Sequence, residues 1–138
     1  MQKKSKEKIA LDAWAILALL QGEEPACSIV AQKLRDSSLL IYMSWINLGE
    51  VYYILYRQRG ESEAETTLKE ILQLPVKFKE PDKKLIKSAA IIKGKYRLSY
   101  ADAFAIALAH EVKGVLLTGN PEIISLKRVV KTMNLRRD

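Results

Sequence analysis

The sequence predicts a three-layer α/β/α domain built around a mostly parallel sheet. Short apolar runs alternate along the chain with longer amphipathic stretches, which is the order of elements in α/β proteins. Residues 103–109 are apolar on every side, and this predicts a helix buried at the centre of the domain. Acidic and amide side chains follow several of the apolar runs, where ligands bind in an open parallel sheet.

The first half of the chain contains two predicted strands and four predicted helices. These are a strand at 9–11, helices at 13–20 and from Pro25 to about 36, a strand at 39–43, and helices at 44–59 and 62–74. Gly22 and Gly60 are helix stops, and Ser44 is an N-cap. The apolar run before Asp12 is short, which favours a buried strand over a helix.

The second half continues the alternation. The predicted elements are a strand at 76–78, a helix from 81 to 94, the central helix from Ser99 to Gly114, a strand at 115–117, a short helix after Pro121, and a final strand at 129–130. Ser99 and Asp102 have the spacing of a capping box at the start of the central helix. Gly94 and Gly114 are the predicted helix stops.

Composition limits the class of protein. A chain of 138 residues that is 49% hydrophobic is long enough for one domain over residues 1–138. The net charge of +7 suits a polyanion such as RNA. A single cysteine, Cys27, excludes an internal disulfide. No apolar run is long enough to span a membrane, and the charged residues Glu7 and Lys8 break the pattern of a secretory signal, so we expect a cytoplasmic protein.

Three carboxylates lie on elements that the pattern predicts to be buried. Asp12 follows the first strand, Asp102 begins the central helix, and Glu50 lies between Ile46 and Ile54 on one stripe of its helix. Two of them have a structural interpretation as well, because Asp102 could serve only as a cap and Glu50 only as a salt-bridge partner. Three such acids from distant parts of the chain favour a shared site.

Clustered carboxylates repel one another unless a cation binds or one of them takes up a proton. Mg²⁺ prefers oxygen ligands, and it binds to one or two carboxylates together with water and substrate phosphates. An acidic site with a metal ion can activate water and neutralise charge on a phosphate. The pattern therefore indicates a phosphodiester-cleaving centre, and the basic surface would hold the substrate backbone.

Four short motifs, in this order, resemble those of the PIN-domain nucleases. They are Leu11-Asp12, Asn47-Leu48-Gly49-Glu50-Val51, Ser99-Tyr100-Ala101-Asp102-Ala103, and Thr118-Gly119-Asn120-Pro121-Glu122. The resemblance covers nearly the whole chain and is strongest to the VapC-type toxins of toxin–antitoxin pairs. It implies an Mg²⁺- or Mn²⁺-dependent endoribonuclease, an antitoxin partner and a homodimer.

The resemblance implies that Asp12, Glu50 and Asp102 bind the metal. The sequence departs from the family at Asn120, where an acid is common, so the site has one negative charge fewer. Asn120, with Thr118 or Ser99, would orient a water molecule or the scissile phosphate. Glu122 has two interpretations, since it could replace the missing acid or cap the short helix after Pro121.

Two other functions were compared with this one. A dehalogenase-like phosphatase would need a second Asp two residues after Asp12, but that residue is Trp14, which we interpret as a packing residue or as part of a partner-binding groove. The alternative is a PIN-like RNA- or protein-binding module with weakened or no catalysis, and Asn120 is the residue that supports it.

Overall fold

The computed structural model describes residues 6–136. Its elements, in chain order, are β1 (Glu7–Leu11), α1 (Ala13–Gln21), α2 (Ala26–Arg35), β2 (Leu39–Ser44), α3 (Trp45–Arg59), α4 (Glu61–Ile71), β3 (Lys77–Lys79), α5 (Lys83–Lys95), α6 (Tyr100–Val112), β4 (Val115–Thr118), α7 (Pro121–Ile124) and β5 (Thr132–Asn134). The predicted domain over residues 1–138 extends beyond the described range and stays a prediction.

The five strands form one sheet in the order β3-β2-β1-β4-β5, and every pairing is parallel. In the central strand, Leu11 pairs with Met43 of β2 on one side and with Leu117 of β4 on the other. The carboxyl ends of these three strands therefore meet at one edge of the sheet. This confirms the predicted sheet and places Asp12 at the middle of that edge.

Helices cover both faces of the sheet. Ile9 and Leu11 of β1 point into a core with residues of α1, α2, α3 and α4. Ala10, between them, points into a second core with residues of α5, α6 and α7. Because neighbouring side chains of a strand point to opposite faces, the continuous apolar run of β1 supplies both cores. The three-layer prediction is confirmed.

Helix α6 lies against the sheet and is the most buried helix of the domain. All seven residues from Ala103 to Ala109 are buried, and the helix packs against α5, β1, β2 and α3. Four of the seven are alanines, which let neighbouring backbones approach closely. The buried central helix is confirmed, and it carries Asp102 to the same edge of the sheet as Asp12.

Two predicted helix stops are wrong in detail. Helix α5 passes through Gly94 to Lys95 and ends where Tyr96 is extended. At the end of α6, the left-handed residue is Lys113, with a φ of 57°, and not Gly114. A Cβ at Gly114 would lie 2.6 Å from the carbonyl oxygen of Lys8, so this glycine is needed for close approach to β1.

The predicted final strand at 129–130 is also wrong. The strand is β5, Thr132–Asn134, which pairs with β4. Val130 is buried and packs with α5, α6 and α7, and the Val129 carbonyl lies 2.6 Å from Nε2 of His110. Val130 is therefore buried under helices and Val129 is partly buried beside it, while a mostly exposed Thr-Met-Asn segment completes the sheet. Within residues 6–136, no helix has the length and apolar character needed to cross a membrane.

Candidate active site

A cleft of about 270 Å³ opens at the carboxyl edge of the sheet. It brings together residues that are distant in sequence: Asp12, Ala13, Trp14, Leu17, Glu50, Ile54, Ser99, Asp102 and Asn120. Asp12, Glu50, Asp102 and Asn120, which were predicted to form one site, all line it. The other sides of the cleft are mostly apolar.

Asp12 is the deepest acid of the cleft, with 2% of its surface exposed. It is the N-cap of α1, where its Oδ1 accepts a hydrogen bond from the backbone N–H of Ala15 at 2.9 Å. Burial raises the pKa of Asp12 from 3.8 to about 7, although hydrogen bonds from Thr118 and Ala15 oppose the shift. The charges of Asp102 and Glu50 raise the pKa further.

Glu50 reaches the cleft from the second turn of α3. Ile46, Glu50 and Ile54 are all half-buried, so the predicted stripe lies at the border of the core. The side-chain amide of Asn47 donates a hydrogen bond to Oε1 of Glu50 at 3.2 Å. Burial raises the pKa of Glu50, the Asn47 hydrogen bond lowers it, and the charge of Asp102 raises it.

Asp102 lies in the first turn of α6, and Ser99 is the N-cap of that helix. The Ser99 hydroxyl accepts a hydrogen bond from the backbone N–H of Asp102 at 3.0 Å, as the capping prediction required. The Asn120 amide donates to Oδ2 of Asp102, also at 3.0 Å. Burial raises the pKa of Asp102, the hydrogen bonds from Ser99 and Asn120 lower it, and the charge of Glu122 raises it.

Asn120 presents its amide nitrogen, and not its carbonyl oxygen, to Asp102. The carbonyl oxygen of the side chain accepts from the backbone N–H of Glu122 at 3.0 Å and caps α7. Asn120 therefore fills the capping role for which Glu122 had been considered. Glu122 itself is exposed and does not line the cleft, although its charge reaches Asp102.

Thr118 is completely buried at the end of β4. Its hydroxyl is hydrogen-bonded to the Asp12 side chain and accepts from the backbone N–H of Asn120 at 3.0 Å. It therefore connects Asp12 to the loop that carries Asn120. Thr118 does not line the cleft, so its contact with the site runs through these two residues.

Within the part of the chain that the structure describes, the carboxylates of the cleft have no ion-pair partner. In residues 6–136, neither Glu50 nor Asp102 forms an ion pair with Lys or Arg, which removes the salt-bridge interpretation of Glu50. The pKa values of Asp12, Glu50 and Asp102 are all raised. Strongly perturbed groups in a cleft are typical of functional sites.

The donor set of the cleft fits a hydrated Mg²⁺ ion. Its charged groups are all carboxylates, the oxygen ligands that this ion prefers. Among the residues that the structure describes, no group of three or more His, Cys, Asp or Glu side chains is spaced to hold a metal ion by itself. Mg²⁺ commonly keeps several waters and uses only one or two carboxylates, so the cleft suits it with water completing the ligand set.

A comparison with protein-family models matches residues 9–129 to the PIN domain. The match spans β1 to the segment before β5 and includes all the residues of the cleft. The chain belongs to the PIN domain family. A comparison with curated protein sequences gives no match.

Solved structures share the PIN fold at low sequence identity. VapBC from Salmonella typhimurium, solved bound to DNA, has a TM-score of 0.72 and 14% identity over 94% of this chain and 99% of its own. VapBC2 from Rickettsia felis, bound to a promoter DNA fragment, has a TM-score of 0.71 and 14% identity, and the match covers 94% of this chain and 99% of that one. VapC20 from Mycobacterium tuberculosis, a sarcin–ricin loop cleaving toxin, has a TM-score of 0.70 and 16% identity. That match covers 85% of this chain and 93% of VapC20. At these identities the likeness shows the fold.

Asn47 is a residue of this PIN site that sequence reasoning did not single out. It is completely buried in α3, and its amide donates to both Glu50 and the backbone carbonyl of Ala101 on α6, at 3.2 and 3.0 Å. It therefore fixes Glu50 relative to the helix that carries Asp102. The available signal was its position three residues before Glu50, which places both side chains on one face of the helix.

Proposed function

We propose that this PIN domain is a metal-dependent endoribonuclease that hydrolyses RNA phosphodiester bonds. The observation that carries the proposal is the convergence of Asp12, Glu50 and Asp102 on one cleft, each with a raised pKa. Partly desolvated carboxylates without a protein cation favour the binding of a divalent ion. The net charge of +7 over the whole chain favours an RNA backbone as substrate.

Asp12, Glu50 and Asp102 would hold Mg²⁺, or Mn²⁺ in its place, directly or through water. Bound there, the ion would supply a Lewis acid that activates water and offsets charge on the scissile phosphate. Hydrogen bonds keep the acids in place before the ion binds, from Thr118 and Ala15 to Asp12, from Asn47 to Glu50, and from Asn120 to Asp102. Asn120 and Ser99 line the cleft beside Asp102, where they can orient a water molecule or the phosphate.

The biological setting is part of the proposal. The structural neighbours include VapBC complexes and a toxin–antitoxin complex from Klebsiella pneumoniae. We propose that this chain is likewise the toxin of a toxin–antitoxin pair, with a cognate antitoxin protein as its inhibitor. A homodimer and a cytoplasmic location, where RNA is available, complete the proposal.

Incubation of the purified, partner-free protein with a mixed RNA pool tests the activity. We expect internal cleavage with Mg²⁺ or Mn²⁺ and none with EDTA, because EDTA removes the divalent ion that would activate water at the cleft. Sequencing of the product ends would show whether the cuts are internal. If the folded, metal-saturated protein cuts no RNA of the pool but still binds it, the binding-module alternative replaces the nuclease.

Replacement of Asn120 by Asp tests what the missing acid does. We expect Asn120→Asp to bind Mg²⁺ about tenfold more tightly, because it adds a carboxylate next to Asp102. Isothermal titration with Mg²⁺ measures the affinity. Asn134→Asp is a matched control, since Asn134 is exposed outside the cleft and its side-chain oxygen also accepts from the backbone N–H two residues later. Equal affinities of all three proteins would show that position 120 does not influence the ion.

A further inference from the structure

A second cleft of about 520 Å³ lies beside the active cleft, and Trp14 lines both. The second cleft is bounded by the turn between α1 and α2, which carries Glu23 and Glu24, and by Leu135 and Arg136 after β5. Trp14 is half-buried, so part of its ring remains accessible. The indole is thus a wall shared by the catalytic cleft and a larger neighbour.

Gly119 determines where the Trp14 ring lies. A Cβ on Gly119 would be 2.3, 2.3 and 2.4 Å from Cη2, Cζ2 and Cε2, three consecutive atoms of the indole. Nearly equal distances to three adjacent ring atoms mean that Gly119 lies over the face of the ring. Any larger residue would displace the indole. The Thr118–Glu122 segment therefore positions Asn120 at the acids and the indole between the two clefts.

The charges of the second cleft suit a base better than a phosphate. Glu23 would repel a phosphate, whereas a carboxylate accepts hydrogen bonds from the amino groups of bases. Glu24 is held in place because its carboxylate accepts hydrogen bonds from the backbone N–H and the hydroxyl of Ser28. Arg136 supplies a cation at the same cleft, where a neighbouring phosphate could be held. The volume is sufficient for a nucleoside.

We propose that the second cleft is a nucleobase subsite for the nucleotide adjacent to the scissile phosphate, with Trp14 as its stacking wall. This inference rests on the proposed ribonuclease function and adds to it a preference for certain bases next to the cleaved bond. Aromatic side chains bind the bases of single strands by stacking. The Glu23 carboxylate favours bases with an exocyclic amino group, namely cytosine, adenine and guanine, over uracil.

Fluorescence tests base binding without any cleavage. A Trp45→Phe, Glu50→Gln protein would have Trp14 as its only tryptophan, and the loss of Glu50 would suppress cutting in Mg²⁺. We expect short oligo(C) and oligo(A) to quench the Trp14 emission, with oligo(U) binding about tenfold more weakly. The matched protein with Trp14→Phe and Trp45 retained should show no quenching. Absence of quenching by all the oligonucleotides, or equal quenching by oligo(U), would overturn the proposal.

Cleavage mapping tests the same proposal on the active enzyme. We expect the wild type to disfavour uracil beside the cut, and Trp14→Ala to lose this bias with a KM raised about tenfold. Trp14→Phe, which keeps an aromatic ring, should retain most of the bias, and Trp45→Ala should not change it. A Trp14→Ala protein with a lowered Tm but unchanged cut sites and KM would show a packing role only. If the wild type cuts no RNA, the nuclease proposal fails, and the quenching experiment still decides whether the cleft binds bases.

Discussion

Replacement of Asp12 by Asn is expected to lower metal-dependent RNA cleavage at least about a hundredfold. Loss of groups that only support metal ligands commonly costs about 10- to 100-fold, and Asp12 is itself one of the proposed ligands. It is also the most buried acid of the cleft, so its replacement removes a charge that no nearby group can supply. Initial rates on a defined RNA, at saturating Mg²⁺, measure the effect.

Asp82→Asn is a closely matched control for this variant. Both aspartates are helix N-caps, and each accepts a hydrogen bond from the backbone N–H three residues later, at 2.9 Å for Asp12 and 2.8 Å for Asp82. Asn is as good an N-cap as Asp, so neither change should unfold its helix. Asp82 does not line the active cleft. Equal loss of cleavage in the two variants, or no loss in either, would contradict a metal-binding role for Asp12.

The stability of the metal-free protein is expected to fall as the pH rises from about 4 to about 7. The pKa of Asp12 is about 7 in the folded protein, and its ordinary value of 3.8 applies to the unfolded chain. Between these two pH values, only the folded state keeps the proton. The stabilisation is complete below the lower value and is lost as the pH rises through the upper one. The difference corresponds to at most about 4 kcal/mol. Glu50 and Asp102, whose pKa values are also raised, contribute with the same sign.

Urea unfolding in EDTA at several pH values measures this dependence. Asp12→Asn should flatten the profile, because the amide does not titrate, while Asp82→Asn should retain the wild-type slope. At the alkaline end, Mg²⁺ should restore stability by about 2.7 kcal/mol when its concentration is about 100 times its Kd. A wild-type profile that is flat, or that rises with pH, would contradict the burial of a protonated Asp12.

Much of the site followed from the order of elements. A parallel sheet brings the carboxyl ends of its strands to one edge, so Asp12 after β1 and Asn120 after β4 were expected at that edge. The pairing of β1 with β4, which the structure gives, makes them neighbours. Asp102 was placed at the same edge by the apolar character of α6, which allows only a position against the sheet. The local sequence pattern was sufficient to place these side chains at the edge of the sheet, because each lies directly beside a strand or helix with a clear hydrophobic pattern.

Other features depended on contacts between distant segments. The Val129–Val130 pair has the composition of a strand, but it packs against the helices of one face of the sheet, and the less typical Thr132–Asn134 segment pairs with β4 instead. Gly114 has the sequence context of a helix stop, yet its lack of a side chain serves the approach to Lys8. In both cases, packing against a distant element outweighs the local preference.

The sequence by itself determined the fold class, the central helix and the set of acids that meet at the carboxyl edge of the sheet. These depend on hydrophobic periodicity and chain order, which are local properties. Only the tertiary structure decided how the acids are held and how they ionise. The amide of Asn120 faces Asp102, Asn47 connects Glu50 to α6, and burial raises the pKa of Asp12 to about 7. Hydrogen bonding and desolvation depend on which distant groups surround a side chain, and no local pattern encodes them.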